Sequence, residues 1–399
     1  MKHLFPGATG HFSLIQGCYW MTYCILISFS SLYLLDRGFT NTQIGLLLGI
    51  AGLTAAILQP FVGAKGDHLK VLSLRQFTSL PIAAMILCGV GLLLVPAKPV
   101  QAALYMVLLV LLQLLTPLIY SLGMDCLNNH IELNFGLARG IGGGTYALAS
   151  AVCGSLAAAL GARVIPLVLV VAVALMLAFT FTFRQGGPVK STLPKPDALP
   201  QSDGTPFLKK YPQVLPLLIG VILLYTSHNV IMNFPYQIVR SLGCGSAEMG
   251  HYLTLQSLMD IPAMVVFSLL LKRASSRAWV RLTGISFFLH ALLTWLAPNL
   301  PFLMVVQVFE MSGYALYSVS SVYFVNEMVD LCDRVQGQTY FTMANTIGIV
   351  LSSVLGGRLL DLGGASAALC LATVTGAAGM VILWILLRRK SLRPATNAA

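Results

Sequence analysis

Three acidic residues lie where the surrounding sequence is almost entirely apolar: Asp125, Asp260 and Glu310. Apolar surroundings disfavour the charged form of a carboxyl group, so such a side chain could bind and release a proton. Ionisable groups at membrane depth are costly and are therefore candidates for function. The alternative is a permanently protonated acid that only hydrogen-bonds to a neighbouring helix or, for Asp260, satisfies the backbone beside Pro262.

Uncharged polar side chains occur in the same apolar surroundings. His228, Asn229 and Asn233 lie within two helical turns, and the two asparagines share one face at a spacing of four residues. His290 and Gln307 lie in two further apolar stretches. These groups could line a path for a polar solute, or they could only form hydrogen bonds between helices.

Arg139 stands at the start of a glycine-rich apolar stretch, residues 135–144. Inside a helix bundle, its planar guanidinium could hold a carboxylate or a pair of sugar hydroxyls. At the surface, it would be one more cytoplasmic anchor, and periodicity does not separate the two. The glycines are not a phosphate-binding loop, since no Lys-Ser or Lys-Thr follows them, and they favour close helix packing.

A short polar segment, residues 59–70, follows the second long apolar stretch and contains Gly63, Asp67 and Lys70. An acid and cations in a tight inner loop can latch or release one half of a moving bundle. We therefore assign these three residues a gating role.

The elements that carry these residues must be membrane helices, because only 9% of the 399 residues are charged and 57% are hydrophobic. A soluble domain has about 25% charged residues. With roughly 20 apolar residues per span, the sequence predicts an all-α membrane protein with twelve transmembrane helices in two six-helix pseudo-repeats. The predicted spans are 12–35, 42–64, 74–96, 99–127, 138–160, 163–184, 213–238, 246–271, 278–297, 300–328, 337–359 and 364–387.

One long polar segment near the middle of the chain divides these spans into two sets of six. The predicted organisation is an N-terminal six-helix bundle at 1–184, a cytoplasmic linker at 185–212, a C-terminal six-helix bundle at 213–388 and a basic cytoplasmic tail at 389–399. An internal repeat supports the division. Thr-Tyr followed eight residues later by Gly occurs at 145–154 in span five and again at 339–348 in span eleven.

The net charge of +11 fits the retention of Lys and Arg in cytoplasmic loops rather than nucleic-acid binding. Most of the cations fall on one side when both termini are cytoplasmic, which predicts a multi-pass protein of the inner cell membrane. The eight cysteines show no C-x-x-C pair. We find no catalytic triad, metal-ligand spacing or nucleotide loop, so we expect no enzyme activity, metal or cofactor.

The chain resembles the oligosaccharide:proton symporter group of the major facilitator superfamily, which includes lactose permease, and it is most similar to the related major-facilitator-like bacterial branch. The resemblance covers nearly the whole chain. It rests on the patterns Gln59-Pro60-x-x-Gly63-x-x-x-Asp67, Phe135-Gly136-x-Ala138-Arg139-x-x-Gly142 and Phe309-Glu310. It implies the twelve-helix major facilitator fold.

The resemblance also implies roles for individual residues. Arg139 matches a sugar-binding arginine, Tyr146 falls where the family has a stacking tryptophan, and Glu310 matches a proton-coupling glutamate. The chain also departs from the family's pattern. Gln307 replaces a histidine, His290 lies near an arginine position, and Lys70 replaces a common glycine. Asp125 is displaced by about one turn from a sugar-binding acid, and Ser257 and Asp260 lie near a second sugar-binding acid.

These observations predict a secondary transporter that moves a small polar solute, a sugar or nucleoside, together with protons. Glu310, with Asp260, would couple protons. The monomer in the lipid bilayer would bind solute through Arg139, Asp125, Tyr146, His228, Asn229, Gln307 and His290. Two alternatives remain open at this stage: an exporter or antiporter with the same fold, and a membrane sensor that does not transport.

Overall fold

The computed structural model describes residues 7–67, 73–128, 131–183, 206–270, 274–330 and 333–388. Lys70, most of the predicted linker and the predicted tail lie outside these ranges. The regular elements in the described ranges are all helical, which agrees with the predicted all-α class. The helices of the first part of the chain are α1 Gly7–Tyr23, α2 Ser30–Asp36, α3 Asn41–Asp67, α4 Leu74–Leu94, α5 Lys98–Asn128, α6 Phe135–Leu160 and α7 Ile165–Thr182.

The described residues of the later part of the chain form nine further helices, and α13, α14 and α15 are short pieces of one longer run. They are α8 Phe207–Lys210, α9 Val214–Asn233, α10 Pro235–Ser241, α11 Ser246–Leu270, α12 Ser276–Trp295, α13 Leu300–Val306, α14 Val308–Glu310, α15 Leu316–Met328 and α16 Arg334–Arg388.

Eight helices in the described ranges are long and apolar enough to cross a membrane, and a ninth span results if α1 and α2 count together across their 48° bend. The last of the eight is 53 residues long and breaks at Gly363 and Gly364, where the φ of Gly364 is 66°. Helices α11 and α12 occupy the positions of two more predicted spans without meeting that test. The count of twelve spans therefore stays a prediction, whereas the all-α class agrees with the structure.

Capping side chains fix where the helices important for the site begin. The Asn134 side chain accepts a hydrogen bond from the Leu137 backbone N–H at 2.9 Å, so α6 starts one turn before Arg139. Asn299 caps α13 in the same way by accepting from Phe302 at 3.0 Å. These caps fix the residues at which α6 and α13 begin.

Among the residues that the structure describes, π-helical turns occur at Cys24–Ser28 and at Met311–Ala315. A π turn inserts one extra residue into the helical repeat and is often found at functional sites. The second turn directly follows Glu310. The backbone between α13 and α15 is therefore irregular where the main candidate residue lies.

The chain forms two compact units: unit 1 holds residues 1–192 and 233–258, and unit 2 holds residues 193–232 and 259–399. The division passes through α11. The six-helix halves predicted from the sequence therefore stay a prediction about organisation.

In unit 1, α1 packs on α6 and α7, and α4 packs on α5 and α7. Small residues permit the closest approaches. A Cβ added to Gly154 of α6 would come within 2.6 Å of the Ser246 carbonyl oxygen and 2.8 Å of the Gly250 Cα in α11. The two backbones therefore touch at this crossing, and only glycines fit there.

In unit 2, α12 packs on α15 and α16 around a core of large apolar side chains. Gly348 brings α16 against α9, since a Cβ there would lie 2.8 Å from the Ile222 carbonyl oxygen. The buried core residues of this cluster include Phe207, Tyr211, Leu217, Leu224, Phe287, Tyr317, Phe324 and Leu383.

A partly buried ion pair connects α8 to the loop before α16. The Lys210 ammonium donates to Asp333 Oδ2 at 2.7 Å and lies 3.1 Å from Asp330 Oδ2. The Tyr211 hydroxyl lies 2.9 Å from a carboxylate oxygen of each aspartate. The hydrogen bond to Asp333 raises the pKa of Lys210 above its usual range.

Candidate functional site

Three buried titratable side chains meet in the described part of unit 2: His228 of α9, His290 of α12 and Glu310 of α14. The Nδ1 atoms of the two histidines each lie 3.5 Å from Oε2 of Glu310. All three side chains are at most 4% exposed. We call these three residues the His-Glu-His cluster.

Local breaks in the helix carry Glu310 into this position. Asn299 starts α13, Gln307 ends it, and the π turn begins one residue after Glu310. The buried amide of Gln307 donates to the Leu303 carbonyl at 3.1 Å, and its side chain also interacts with His290. The irregular backbone and its amide therefore support the cluster from one side.

Aromatic rings fix His228 from the other side. The Tyr314 ring stacks on the imidazole, with centroids 4.9 Å apart and planes inclined by 6°. Phe287 meets the same imidazole edge-on at 5.4 Å. A ring held between two aromatic side chains has little freedom to turn, so Nδ1 stays directed at the carboxyl group.

The cluster can hold positive charge. A carboxylate accepts, and each imidazole can donate or accept depending on its tautomer and protonation. The 3.5 Å separations exceed the usual N–H···O range of about 2.7–3.2 Å. The three side chains could therefore share a proton after a small movement, or they could hold a cation, because their donor atoms all lie within 4.8 Å of one another.

A second polar group lies in unit 1, where Arg139 of α6 meets the aromatic side chains of α1. The Arg139 Cζ lies 3.9 Å from the centroid of the Trp20 ring. Trp20 in turn contacts Tyr23 at 5.2 Å and Tyr19 at 5.4 Å between centroids. Arg139 thus lies half-buried against aromatic rings, which fits the inward alternative of the sequence analysis better than the surface anchor.

Gly142 makes room for this stacking. A Cβ at that position would collide with the Trp20 ring, so the ring occupies the space left by the missing side chain. One turn further along α6, Tyr146 is buried and its hydroxyl lies 2.6 Å from the Ser28 hydroxyl in the first π turn. The face of α6 predicted to bind solute therefore packs on α1.

The remaining candidates are more dispersed. Asn229 donates its amide to the Tyr225 carbonyl at 2.9 Å within its own helix. Asp260 is half-buried on α11 and belongs to unit 2, whereas Asp125 is half-buried on α5 in unit 1. Ser257 donates to the Gly143 carbonyl at 2.9 Å in unit 1.

The proposed gating residues lie at the limit of the described structure. The backbones of Gly63 and Asp67 form the last turns of α3, and Lys70 falls outside the described residues. Their role stays a prediction.

Sequence reasoning missed Tyr314 and the Lys210–Asp333 pair, for which the sequence shows no signal. Trp20 lies with Tyr19 and Tyr23 in an apolar span, and the sequence left two alternatives open for these rings: stacking on a solute and filling of the bundle.

A sequence model of the MFS_1 like family matches residues 13–370 of this chain. A solved mutant of the nucleoside transporter NupG superposes with a TM-score of 0.79 at 14% identity, covering 96% of this chain and 99% of that one. An auto-inhibited POT family peptide transporter gives 0.69 at 10% identity, covering 99% of each chain. A bacterial homologue of the human lysosomal transporter Spinster, inward-facing and unoccupied, gives 0.65 at 13%, covering 96% of this chain and 95% of that one. No curated protein has a significantly similar sequence.

Proposed function

The chain belongs to the MFS_1 like family, and on that premise we propose that it is a proton-coupled symporter that carries a small polar solute by alternating access. Family membership itself makes the chain a multi-pass secondary transporter of the major facilitator type and not an enzyme. The proton, the solute class and the direction of transport are the parts that we add.

The buried carboxyl group of Glu310, between two imidazoles, is the observation that carries the proposal. A charged carboxylate in such surroundings is costly unless it is paired. Glu310 therefore holds a proton in one phase of the cycle. When the proton leaves, N–H groups of His228 and His290 stabilise the carboxylate, helped by a small closure of the 3.5 Å separations.

The titratable groups that face Glu310 come from two helices of unit 2. They are His228 of α9 and His290 of α12, with Tyr225 of α9 also interacting with the carboxyl group. Tyr314 stacks on His228 from the π turn. Proton uptake at Glu310 therefore acts first on the two imidazoles, which lie 3.5 Å from its carboxyl oxygen.

The solute class follows from the group around Arg139. A planar guanidinium donates a fork of N–H groups that suits a pair of hydroxyls or a carboxylate. The rings of Trp20 and Tyr23 beside it offer flat faces to a sugar or base ring. Together these groups favour a sugar or a nucleoside, and the nucleoside transporter NupG has a similar fold.

The proposal includes the location of the protein. The asymmetric Lys and Arg distribution supports an inner-membrane protein with both termini in the cytoplasm. We propose that it acts as a monomer, because each candidate group is complete within one chain.

The test uses purified protein in liposomes that contain a trapped pH dye. A panel of sugars, nucleosides and small acids is added outside. We expect one solute class to acidify the lumen, and Glu310→Gln to abolish both acidification and accumulation while solute exchange survives. Glu132→Gln is the matched control, since this exposed acid lies in the loop before α6.

Two outcomes would overturn the proposal. One is accumulation against a gradient by the Glu310→Gln protein at the wild-type level. The other is solute uptake by the wild type without any proton movement, which would indicate another coupling ion.

A further inference from the structure

The His-Glu-His cluster could also bind a metal cation, a property that the transport proposal does not use. We propose that His228, His290 and Glu310 form a binding site for a divalent transition-metal cation of the Zn²⁺ type. The inference concerns binding to unit 2 and does not depend on which solute or ion the protein transports.

The distances fit a shared cation. Zn–N and Zn–O bonds of about 2.0–2.1 Å place neighbouring donors of a tetrahedron roughly 3.3–3.4 Å apart. Oε2 of Glu310 lies 3.5 Å from Nδ1 of both His228 and His290. All three donors lie within 4.8 Å of one another, so a small shift of one side chain would bring the two histidine nitrogens to the separation that a shared cation requires.

The donor set selects the class of cation. Two imidazole nitrogens and one carboxylate oxygen suit Zn²⁺, Co²⁺, Ni²⁺ and Cu²⁺, whereas Mg²⁺ and Ca²⁺ prefer oxygen alone. Three protein ligands leave a fourth position open for water or for a solute group.

The surroundings hold the ligands in place, as in known metal sites, where outer partners orient the ligating rings. Gln307 interacts with His290. Tyr314 stacks on the imidazole of His228, and Phe287 contacts the same imidazole edge-on. The imidazole of His228 is thus positioned by its aromatic neighbours before a cation arrives.

The topology predicts a mechanical consequence. The ligands come from α9, α12 and α14, so one cation would connect three helices of unit 2. Binding to the folded state alone raises its apparent stability by mass action. A cation at this site should therefore raise the thermal midpoint of the protein as well as change the spectrum of the metal.

The experiment uses the full chain, purified in detergent, stripped with a chelator and freed of any His tag. Co²⁺ is titrated while the visible ligand-field bands are recorded, and Zn²⁺ is then added as competitor. We expect intense bands of four-coordinate Co²⁺ at one equivalent, loss of the bands with Zn²⁺, and a raised thermal midpoint.

Three variants locate the site: His228→Gln, His290→Gln and Glu310→Gln. Loss of a group that only orients a ligand costs about 10–100-fold in metal affinity, so each variant should weaken Co²⁺ binding at least tenfold. His251→Gln is the matched control, because His251 is exposed on α11, and it should bind as the wild type does.

The result that overturns the proposal is tight binding that survives in the His290→Gln protein. Strong near-ultraviolet sulfur-to-cobalt bands would also overturn it, because they would assign the metal to the free cysteines. X-ray absorption of Zn²⁺ on the wild-type protein tests the site even if a variant fails to fold. It should show two imidazoles and oxygen neighbours, and a sulfur shell or an all-oxygen shell would reject the site. Neither rejection would bear on solute-driven proton movement, which is measured without metal.

Discussion

The guanidinium of Arg139 lies on the face of the Trp20 ring, with Cζ 3.9 Å from the ring centroid. This contact joins the first turns of α6 to the last turn of α1 within unit 1. Because the guanidinium carbon lies over the ring, the contact limits how the side chain can turn. An arginine held in this way can present its fork to hydroxyls at a fixed angle.

The first prediction concerns Gly142, which makes room for the Trp20 ring. In the Gly142→Ala protein the new methyl group would collide with the ring, so Trp20 must move and the stacking on Arg139 weakens. A cation–π contact contributes about 0.5–2 kcal/mol, so solute affinity should fall by about 2- to 30-fold. The measurement is the KM of uptake in proteoliposomes, with Trp fluorescence as a report on the ring.

Gly144→Ala is the control for this substitution. A Cβ at Gly144 meets nothing within 4 Å, so this variant carries the same helical change without displacing a ring. Equal KM values for the two variants would mean that the Trp20 position does not matter for solute binding.

The second prediction concerns the anchor formed by Lys210, Tyr211 and Asp333. Lys210→Ala leaves the buried Asp333 carboxylate without its cation, and hydrogen bonds to charged groups contribute about 1.5–3 kcal/mol. We expect a loss of this order in the free energy of unfolding, measured by denaturation in detergent. Lys209→Ala should leave stability unchanged, since Lys209 is exposed on the same short helix.

The pH dependence of this anchor has a definite sign. The pKa of Lys210 is raised in the folded protein by the hydrogen bond to Asp333. A raised folded pKa gives full stabilisation below the unfolded value, about 10.4 for lysine, and loses it as the pH rises towards the folded value. The difference between wild type and Lys210→Ala should therefore be constant around neutrality and shrink only above about pH 10. A difference that vanishes already at pH 8 would assign the stabilisation to other residues.

The positions of the helices could largely be predicted from hydropathy. The predicted tenth span, 300–328, covers α13, α14, the π turn and α15 with the same outer bounds. Hydropathy could not show that this span breaks at Gln307 and contains a π turn, because it reports composition and not which carbonyl each N–H reaches. The same holds for the 48° bend between α1 and α2.

The members of the site could be predicted more easily than their arrangement. Glu310, His228, His290 and Gln307 each stood out as polar residues in apolar stretches. Nothing in the sequence showed that both imidazoles face one carboxyl oxygen, because the two histidines and Glu310 lie on three separate helices whose rotation depends on packing. For Asn229 the sequence suggested a solute-lining role, whereas its amide donates to a carbonyl of its own helix.

The third prediction concerns the ring that stacks on His228. Tyr314→Leu removes the flat partner 4.9 Å from the imidazole, so the histidine can turn away from Glu310. We expect proton-coupled accumulation to fall severalfold, since a well-placed aromatic pair contributes about 0.5–1.5 kcal/mol. Tyr314→Phe keeps the ring and should retain most of the activity. A Phe variant as impaired as the Leu variant would show that the hydroxyl group, and not the stacking, is what matters.

The fourth prediction concerns the crossing of α6 and α11 in unit 1. In Gly154→Ala the methyl carbon would lie 2.6 Å from the Ser246 carbonyl oxygen and 2.8 Å from the Gly250 Cα. Both neighbours are backbone atoms, so the helices themselves must separate, and overpacking of this kind costs about 1–3 kcal/mol. The thermal midpoint in detergent should fall for Gly154→Ala. It should hold or rise for Gly144→Ala on the same helix, because alanine favours a helix over glycine by up to about 1 kcal/mol where nothing opposes the methyl group. Equal midpoints for Gly154→Ala and wild type would mean that the two backbones are not pressed together at this crossing in the purified protein.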